Sequence, residues 1–228
     1  MTSGTRIGIL GGTFDPVHLG HVETALAAAR ALALDRVLVL PSGVPPHRRP
    51  PLASRFHRFA MTALAVTGVD PLIASDLEIG ESGASYSYDT LARLHAAGFD
   101  ASQLYFITGA DAFAEIATWS RYPDVLDMAN FVVVSRPGCA APELPALLPT
   151  LAPRMTTTVG ADGNQGQRRI VLVDARTPDV SSTEIRRRLE TGSSIAGLVP
   201  NLVATYIDQH GLYSRVSALT RPADHLHG

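Results

Sequence analysis

The sequence is poor in cysteine, in surplus charge and in long hydrophobic runs. Cys139 is the single cysteine among 228 residues, so no disulfide bond can form within the chain. The net charge of −2 at pH 7 argues against general nucleic-acid binding, which usually needs a basic face. No apolar run reaches the roughly 18 residues that a transmembrane helix needs, and the N-terminus lacks a signal-peptide pattern. These absences predict a cytoplasmic protein with neither nucleic acid nor a membrane as partner.

Alternating strand and helix patterns predict an α/β fold. The chain has a mass of 24.2 kDa, and its 46% hydrophobic and 18% charged residues are typical of one globular domain. The short apolar runs that predict strands lie at residues 6–10, 36–40, 71–78, 103–108, 130–135 and 169–174. Together with the helical segments between them they predict a single-domain, Rossmann-like, doubly wound parallel sheet with flanking helices over residues 1–214. We expect a mobile loop at 140–167 and a poorly ordered tail at 215–228.

The segment GGTFDPVHLGH, residues 11–21, joins the first predicted strand to the first predicted helix. Its two leading glycines let the backbone turn sharply and let a ligand approach closely. The helix start presents unpaired N–H groups, which suit an anion. His18 and His21 are three residues apart on one helix face, and Gly20 between them is expected to leave room for a phosphate. No third ligand lies nearby in the sequence, so a phosphate site is favoured over a metal site.

A second candidate anion site lies near the other end of the chain, in VSSTEIR at residues 180–186. Ser181 and Glu184 match a capping box, which predicts a helix start. The same start carries three hydroxyl groups, free N–H groups and Arg186, whose planar fork suits a phosphate. The alternative interpretation is a well-capped helix that binds no ligand.

Other polar clusters also follow predicted strands. His47 and Arg48 belong to a proline-rich loop after the second strand, which could equally be a solvated basic loop. Asp111 follows Gly109 at the end of the fourth strand, where it either holds a ribose or is only an N-cap. Trp119 either packs in the core or stacks on a flat ring. Because ligands of parallel α/β sheets bind at the carboxyl ends of the strands, this shared placement predicts one site.

The pairing of GGTFDPVHLGH with VSSTEIR resembles the HxGH nucleotidyltransferase superfamily and, within it, the bacterial nicotinate-nucleotide adenylyltransferases. Further matching segments are VPPHR at 44–48, SYSYDT at 85–90, GADAF at 109–113, TWSRY at 118–122, SRPG at 135–138 and LVPNLVATYIDQHGLY at 198–213. The resemblance implies a nucleotidyltransferase α/β phosphodiesterase type of fold. It also implies adenylyl transfer from ATP to nicotinate mononucleotide, which gives deamido-NAD (nicotinate adenine dinucleotide) and pyrophosphate in NAD biosynthesis.

Roles for individual residues also follow from the resemblance. The implied catalytic residues are His18, His21 and Arg186. The implied ATP-binding residues are Gly11, Gly12, Thr13, Phe14, Gly20, Gly109, Asp111, Ser181, Ser182 and Thr183. The implied residues for nicotinate mononucleotide are His47, Arg48, Tyr86, Ser87, Trp119 and Arg136. The chain departs from the family at Ser87, where threonine is usual, and at Ser42, where asparagine is frequent.

The implied reaction needs positive charge more than it needs a base. The attacking phosphate oxygen is already anionic at neutral pH, so positioning and electrostatic stabilisation should dominate. His18, His21 and Arg186 would supply the charge together with Mg²⁺, which we expect to bind through the ATP phosphates because no carboxylate cage is evident. Two alternatives stay open: an adenylyltransferase for nicotinamide mononucleotide or phosphopantetheine, and a non-catalytic nucleotide-binding module. A homo-oligomer is also left open.

Overall fold

The computed structural model describes residues 4–46, 50–158 and 168–214. Within them, seven strands form one sheet in the order β3-β2-β1-β4-β5-β7-β6, and each neighbouring pair is parallel. The strands are β1 Ile7–Gly12, β2 Arg36–Pro41, β3 Leu72–Ala74, β4 Leu104–Gly109, β5 Asn130–Val134, β6 Met155–Thr156 and β7 Ile170–Val173. The helices are α1 Leu19–Leu32, α2 Arg55–Val66, α3 Ser87–Ala96, α4 Ala110–Ala114, α5 Leu144–Leu147, α6 Ser182–Glu190 and α7 Asn201–Gln209. The predicted fold class, a parallel α/β sheet with flanking helices, is confirmed.

The strands divide their side chains between two hydrophobic cores. In β1, Leu10 enters the core that contains residues of α1, α2, α6 and α7, and Ile9 enters the core that contains residues of α3, α4 and α5. In β5, Phe131 and Val132 separate in the same way. Successive strand residues point to opposite faces of a sheet, so both faces are covered by helices. This double burial explains why the strands read as continuous apolar runs in the sequence.

The strand order reverses between β1 and β4. The two strands are paired from Ile7 with Leu104 to Leu10 with Ile107. The chain continues from β1 to β2 and β3 on one side of this pair, and from β4 to β5 on the other. Crevices outside the carboxyl ends of strands at such reversals are the usual ligand sites of open α/β sheets.

The third strand is shorter than the pattern predicts. β3 covers Leu72–Ala74 rather than residues 71–78, because its pairing with β2 ends at Ala74 opposite Val39. The chain then turns away from the sheet, and Ile79 N donates to the carbonyl of Asp76 at 2.8 Å.

The segment after β5 is more regular than the predicted mobile loop. Short helical turns at Ala141–Glu143, Leu144–Leu147 and Ala152–Arg154 lead into β6, which pairs with β7. Buried Leu144 and Leu151 anchor this segment on the core, which is why its many prolines do not leave it irregular. The rest of that predicted loop, 159–167, and the predicted tail, 215–228, lie outside the described residues.

Serine side chains cap the starts of α2 and α6, and the cap of α6 at Ser181 was predicted from the sequence. Ser54 Oγ accepts a hydrogen bond from His57 N at 3.3 Å, and Ser181 Oγ accepts one from Glu184 N at 3.2 Å. These serines satisfy backbone donors that the helices leave unpaired. In the part of the chain that the structure describes, no helix is long and apolar enough to cross a membrane.

Candidate active site

A cleft of about 1150 Å³ opens at the reversal of the strand order, beyond the carboxyl ends of β1 and β4. The predicted site residues that line it are Gly11, Gly12, Thr13, His18, His21, Tyr86, Ser87, Gly109, Asp111, Trp119, Arg136, Ser181, Ser182, Thr183 and Arg186. Two further predicted residues, His47 and Arg48, lie outside the described residues. The cleft therefore brings together the two anion sites that were predicted from opposite ends of the sequence.

His18 and His21 form a stacked pair at the start of α1. Their ring centroids lie 3.6 Å apart, with an angle of 23° between the ring planes. His18 is the N-cap, and its backbone N–H donates to Nδ1 of His21 at 3.2 Å. A ring nitrogen that accepts a hydrogen bond carries no proton, so the neutral His21 ring is protonated at Nε2. His21 therefore offers Nε2–H as its donor to a ligand in the cleft.

His18 is uncharged at neutral pH when no ligand is bound. Burial, with a smaller contribution from the Arg136 charge, lowers its pKa from 6.5 to about 3. The side chain is only 2% exposed, and its Nδ1 makes no hydrogen bond of standard geometry to the described residues. Burial thus favours the neutral His18 ring in the protein without ligand, and a positive charge on His18 during the reaction stays a prediction. Its observable contributions are the cap of α1 and the surface on which His21 stacks.

Phe14 and Gly20 pack against the histidine pair, and neither of them lines the cleft. The Phe14 ring packs edge-on against His21, with 4.8 Å between the centroids. Gly12 makes room for that ring, because a Cβ atom at Gly12 would overlap it. A Cβ atom at Gly20 would lie 3.0 Å from Nδ1 of His18 and 3.1 Å from Nη1 of Arg136. The space at Gly20 is therefore occupied by the protein's own side chains, which corrects the expectation that it makes room for a phosphate.

The start of α6 is docked on the loop that precedes α1. Ser182 Oγ donates to the carbonyl of Pro16 at 2.9 Å. Nη1 of Arg186 donates to the carbonyl oxygen of Asp15 and lies 3.9 Å from Oδ2 of the same residue. Nη2 of Arg186 donates to Thr183 Oγ1 at 3.2 Å. Direct hydrogen bonds thus join the two helix starts at one wall of the cleft.

Only one half of the capping box predicted at the start of α6 forms. Ser181 Oγ accepts from the backbone N–H of Glu184, but the Glu184 side chain bonds to arginines instead. The Glu184 carboxylate accepts hydrogen bonds from Arg187 at 2.7 and 2.8 Å and from Arg188 at 2.8 Å. These bonds lower the pKa of Glu184 to about 2. Two of the three consecutive arginines of α6 are therefore engaged with Glu184, and Arg186 is the one that lines the cleft.

Asp111 and Arg136 follow the ends of β4 and β5. Gly109 is the N-cap of α4, so the alternative interpretation of Asp111 as an N-cap is wrong, and Asp111 lies exposed in the first turn of the helix. A Cβ atom at Gly109 would lie 2.9 Å from Cγ of Arg136. Arg136, predicted to bind the mononucleotide, therefore stands beside His18 and Gly109, which are predicted to bind ATP.

Tyr86, Ser87 and Trp119 line the cleft from other elements. Tyr86 is the N-cap of α3 and Ser87 is its first residue, so the first backbone N–H groups of α3, which have no acceptor within the helix, lie at the cleft. Trp119 is half-buried, and its ring packs edge-on against Phe106 with 5.7 Å between the centroids. Both interpretations of Trp119 therefore hold in part, since the ring is anchored in the core and the residue lines the cleft.

Arg58 is a buried part of the site that the sequence analysis missed. It is 1% exposed, and its guanidinium donates to the carbonyls of Thr13 at 2.8 Å, Gly43 at 3.1 Å and Ala53 at 3.3 Å. Burial lowers its pKa, against the opposing effect of the Asp15 charge. Arg58 thereby ties the loops after β1 and β2 to the start of α2. Its position three and four residues before buried residues of α2 is the signal that could have identified it.

Two buried carboxylates of the cleft were also missed. Asp15 is 5% exposed and Glu78 is 6% exposed. Thr90 Oγ1 donates to Oε1 of Glu78 at 2.5 Å. Asp15 was visible as the one charged residue inside the first glycine-rich segment, whereas Glu78 carries no pattern that separates it from a surface acid.

The chain is similar to a well-populated group of proteins. It matches the Cytidylyltransferase-like family over residues 9–188. A Pseudomonas fluorescens protein named "Probable nicotinate-nucleotide adenylyltransferase" is 41% identical over 211 residues, covering 92% of this chain and 98% of the relative. A Thermus thermophilus protein of the same name is 40% identical, covering 91% of this chain and 99% of the relative.

Solved structures share the fold. Plasmodium falciparum nicotinic acid mononucleotide adenylyltransferase complexed with NaAD aligns with a TM-score of 0.72 over 92% of this chain and 97% of that chain, at 18% identity. The same protein complexed with APC aligns with a TM-score of 0.70, with the same coverage, at 19% identity. At these identities the likeness supports the architecture, while the assignment to a family depends on the relatives that are about 40% identical.

Proposed function

The chain belongs to the nicotinate-nucleotide adenylyltransferase family, and from this premise we propose that it transfers the adenylyl group of ATP to nicotinate mononucleotide. The products are nicotinate adenine dinucleotide and pyrophosphate, a step of NAD biosynthesis. Both substrates carry phosphate, so the reaction needs one cleft that can hold several anionic groups. The observation that supports the proposal most strongly is the meeting of the α1 and α6 starts in one cleft.

The ATP phosphates are proposed to bind between these two helix starts. Helix N-termini offer unpaired N–H groups and a partial positive charge to an anion. At α1, His21 adds a side-chain donor that is held by its contacts with His18 and Phe14. At α6, Arg186 adds a full charge and a planar fork of donors. The same arrangement explains why phosphate-binding groups occur near both ends of the sequence.

The proposed reaction is a direct in-line displacement. An oxygen of the mononucleotide phosphate attacks the α-phosphorus of ATP, and a P–O bond forms there. The bond from the α-phosphorus to the oxygen that bridges to the β-phosphorus breaks, and its electron pair leaves with pyrophosphate. The attacking oxygen is already an anion, so no residue has to remove a proton. His21 and Arg186 act by stabilising the negative charge that grows on the departing pyrophosphate.

Mg²⁺ is proposed to enter with ATP. Across residues 4–46, 50–158 and 168–214, no group of three or more His, Cys, Asp or Glu side chains could hold a metal. The buried carboxylate of Asp15 accepts backbone N–H bonds, and that of Glu78 accepts the Thr90 hydroxyl. This donor set fits an ion held by phosphate oxygens and water, which when bound would neutralise charge on the β- and γ-phosphates.

The start of α3 is proposed to select nicotinate over nicotinamide. The Ser87 hydroxyl and the first backbone N–H groups of α3 are of a kind that donates to a carboxylate. The amide group of nicotinamide would place its own N–H donors against some of these protein donors. Donors buried by the ligand would then lack acceptors, which costs binding free energy. Trp119 would stack on the pyridine ring.

Release of pyrophosphate from ATP with each acceptor tests the proposal. We expect nicotinate mononucleotide to exceed nicotinamide mononucleotide in kcat/KM by at least about tenfold, the scale of one lost polar contact, and phosphopantetheine to give no product. Ser87→Ala should reduce this preference, while Ser82→Ala, in the exposed loop before α3, should leave it unchanged. Equal efficiency with both mononucleotides would overturn the substrate assignment. ATP binding without pyrophosphate release for any acceptor would instead favour the non-catalytic nucleotide-binding module.

A further inference from the structure

Three segments that are distant in the sequence meet at the carboxylate of Asp15, beneath the cleft. Oδ2 accepts a hydrogen bond from Leu52 N at 2.8 Å, and Oδ1 accepts one from Ala53 N at 3.0 Å. The hydroxyl of Tyr213 donates to Oδ1 at 2.8 Å. Asp15 thus joins the loop after β1, the segment before α2 and the segment that follows α7.

The same residue holds Arg186. The Asp15 carbonyl accepts from Nη1 of the guanidinium, and Oδ2 lies 3.9 Å from that nitrogen. At this distance the two charges attract each other without a closed hydrogen bond between them. Thr183 Oγ1 accepts from the other end of the guanidinium. The plane of the Arg186 fork is therefore fixed, while its charge is only partly engaged by the carboxylate.

Tyr213 is built into this arrangement as a permanent donor. Its side chain is buried, and burial, together with the neighbouring Asp15 charge, raises the pKa of the hydroxyl far above neutral pH. The hydroxyl therefore stays protonated and donates to Asp15. The backbone of Tyr213 has a φ of 65°, a left-handed conformation that is uncommon outside glycine. The bond from Tyr213 to Asp15 brings the segment that follows α7 against the loop after β1.

We propose that Asp15 and Tyr213 are positioning residues for Arg186, and that the segment following α7 is thereby part of the active site. The inference rests on the proposed adenylyl transfer. Neutral donors from Tyr213, Leu52 and Ala53 satisfy the Asp15 carboxylate, so it does not need to draw Arg186 into a closed ion pair. The guanidinium then keeps donors for the phosphates in the cleft.

Removing the Tyr213 hydroxyl should disturb the reaction through Arg186. Without it, Oδ1 of Asp15 lacks one donor, and Arg186 is the cation within 4 Å of that carboxylate. We expect the ion pair to close and the guanidinium to turn away from the phosphates. Phenylalanine keeps the buried ring, so the test variant is Tyr213→Phe. Tyr206→Phe is the matched control. Tyr206 lies on α7 outside the cleft lining, and the variant removes a tyrosine hydroxyl that bonds to Nδ1 of His57 on α2 at 2.9 Å.

Steady-state pyrophosphate release and binding of a non-hydrolysable ATP analogue give the decisive readouts. For Tyr213→Phe we expect kcat to fall about tenfold, as for loss of one charge-linked hydrogen bond. We expect the analogue to bind roughly threefold more weakly, with the KM for nicotinate mononucleotide unchanged within about twofold. In an Arg186→Lys background, Tyr213→Phe should cause little further loss, because the residue acts through the arginine. Tyr206→Phe should match the wild type.

Three results would overturn the inference. One is a wild-type kcat and analogue affinity for Tyr213→Phe. Another is a loss of apparent affinity for both substrates to the same degree, together with a lowered melting temperature, because a purely structural role would give that result. The third is a full additional loss in the Arg186→Lys background. If the wild-type protein releases no pyrophosphate with nicotinate mononucleotide, the proposed function fails, and the analogue affinities of the same variants still decide the role of Tyr213.

Discussion

The two helix starts that meet in the cleft, which we propose hold the ATP phosphates, differ in how they would attract an anion. At α1 the N-cap is His18, which is buried and neutral, and the donor of His21 is held in place by ring contacts. At α6 the N-cap is Ser181, and the side chain of Arg186 is 24% exposed. The first start therefore depends on shape and neutral donors, and the second on a charge that water can screen.

This difference shows how a site for several phosphates can remain stable when it is empty. Burying several unpaired cations would cost the free protein stability, because each loses its hydration. At α1 burial keeps the His18 ring uncharged, and at α6 partial exposure leaves Arg186 hydrated. The cleft is thus prepared for a polyanion without a cluster of buried positive charges.

The largest expected effect of a substitution is at α1. His21→Ala removes the Nε2–H donor, and we expect kcat to fall by about 10² to 10³, the usual loss for one preorganised donor to a developing negative charge. The melting temperature should stay close to that of the wild type, which thermal unfolding will check. His57→Ala, on α2 and outside the cleft lining, is the control and should keep wild-type turnover. Near-normal turnover of His21→Ala would contradict the role of the α1 start.

At α6 we expect a smaller loss that depends on salt. Arg186→Ala should lower kcat/KM for ATP by about 10 to 10², because one charge-assisted contact to phosphate is lost. The wild-type affinity for an ATP analogue should weaken as salt rises from about 0.05 to 0.5 M, and the variant should weaken less. Arg187→Ala, whose side chain is exposed and paired with Glu184, should retain the wild-type salt slope. Identical salt slopes for Arg186→Ala and the wild type would contradict the claim that the α6 start acts through the charge of Arg186.

The packing at α1 can be tested without removing a polar group. Gly20→Ala would place a Cβ atom 3.0 Å from His18 and 3.1 Å from Arg136, so one of them must move. We expect kcat to fall about tenfold, because small displacements of positioning groups are costly to catalysis. Gly80→Ala adds the same methyl group where no atom lies within 4 Å and should have no effect. Wild-type turnover in both variants would show that this packing is not critical.

The last expected effect is on stability at acid pH rather than on turnover. The folded-state pKa of His18, about 3, lies below its ordinary 6.5, so the unfolded chain binds a proton there that the folded one excludes. Between pH 6.5 and about 3 this group should lower the free energy of unfolding by up to about 1.4 kcal/mol per pH unit, and above pH 6.5 its contribution should not change with pH. His18→Gln should therefore lose less stability than the wild type between pH 6.5 and 4.5, as measured by urea unfolding. Parallel losses would mean that the ring is not held neutral.

Sequence patterns within a few residues predicted those features of the fold that depend on neighbouring residues alone. The strand runs, the cap at Ser181 and both candidate anion-binding segments could be identified because each depends on residues within one turn or one strand. The predicted third strand was too long, because the strand ends where its pairing with β2 ends, at Ala74, and its own composition does not mark that point. The prolines after β5 suggested irregularity, but buried Leu144 and Leu151 order that segment.

The missed features of the site depend on contacts between distant residues. Tyr213 donates to Asp15 across 198 positions of sequence, and Arg58 reaches Thr13 across 45. The neutral state of His18 depends on burial and on Arg136, neither of which a local pattern contains. Sequence reasoning could therefore identify the groups that we propose bind phosphate, but not which residues hold those groups in place or set their charge.

The convergence of the α1 and α6 starts on one triphosphate is tested most directly by ¹⁵N NMR of histidine- and arginine-labelled protein during titration with a non-hydrolysable ATP analogue. The side-chain signals of His21 Nε2 and Arg186 Nε are followed, with His57 and Arg187 as references outside the cleft lining. We expect both site signals to shift with one common dissociation constant while the reference signals stay unchanged. A shift of only one site signal, or two different dissociation constants, would contradict the account.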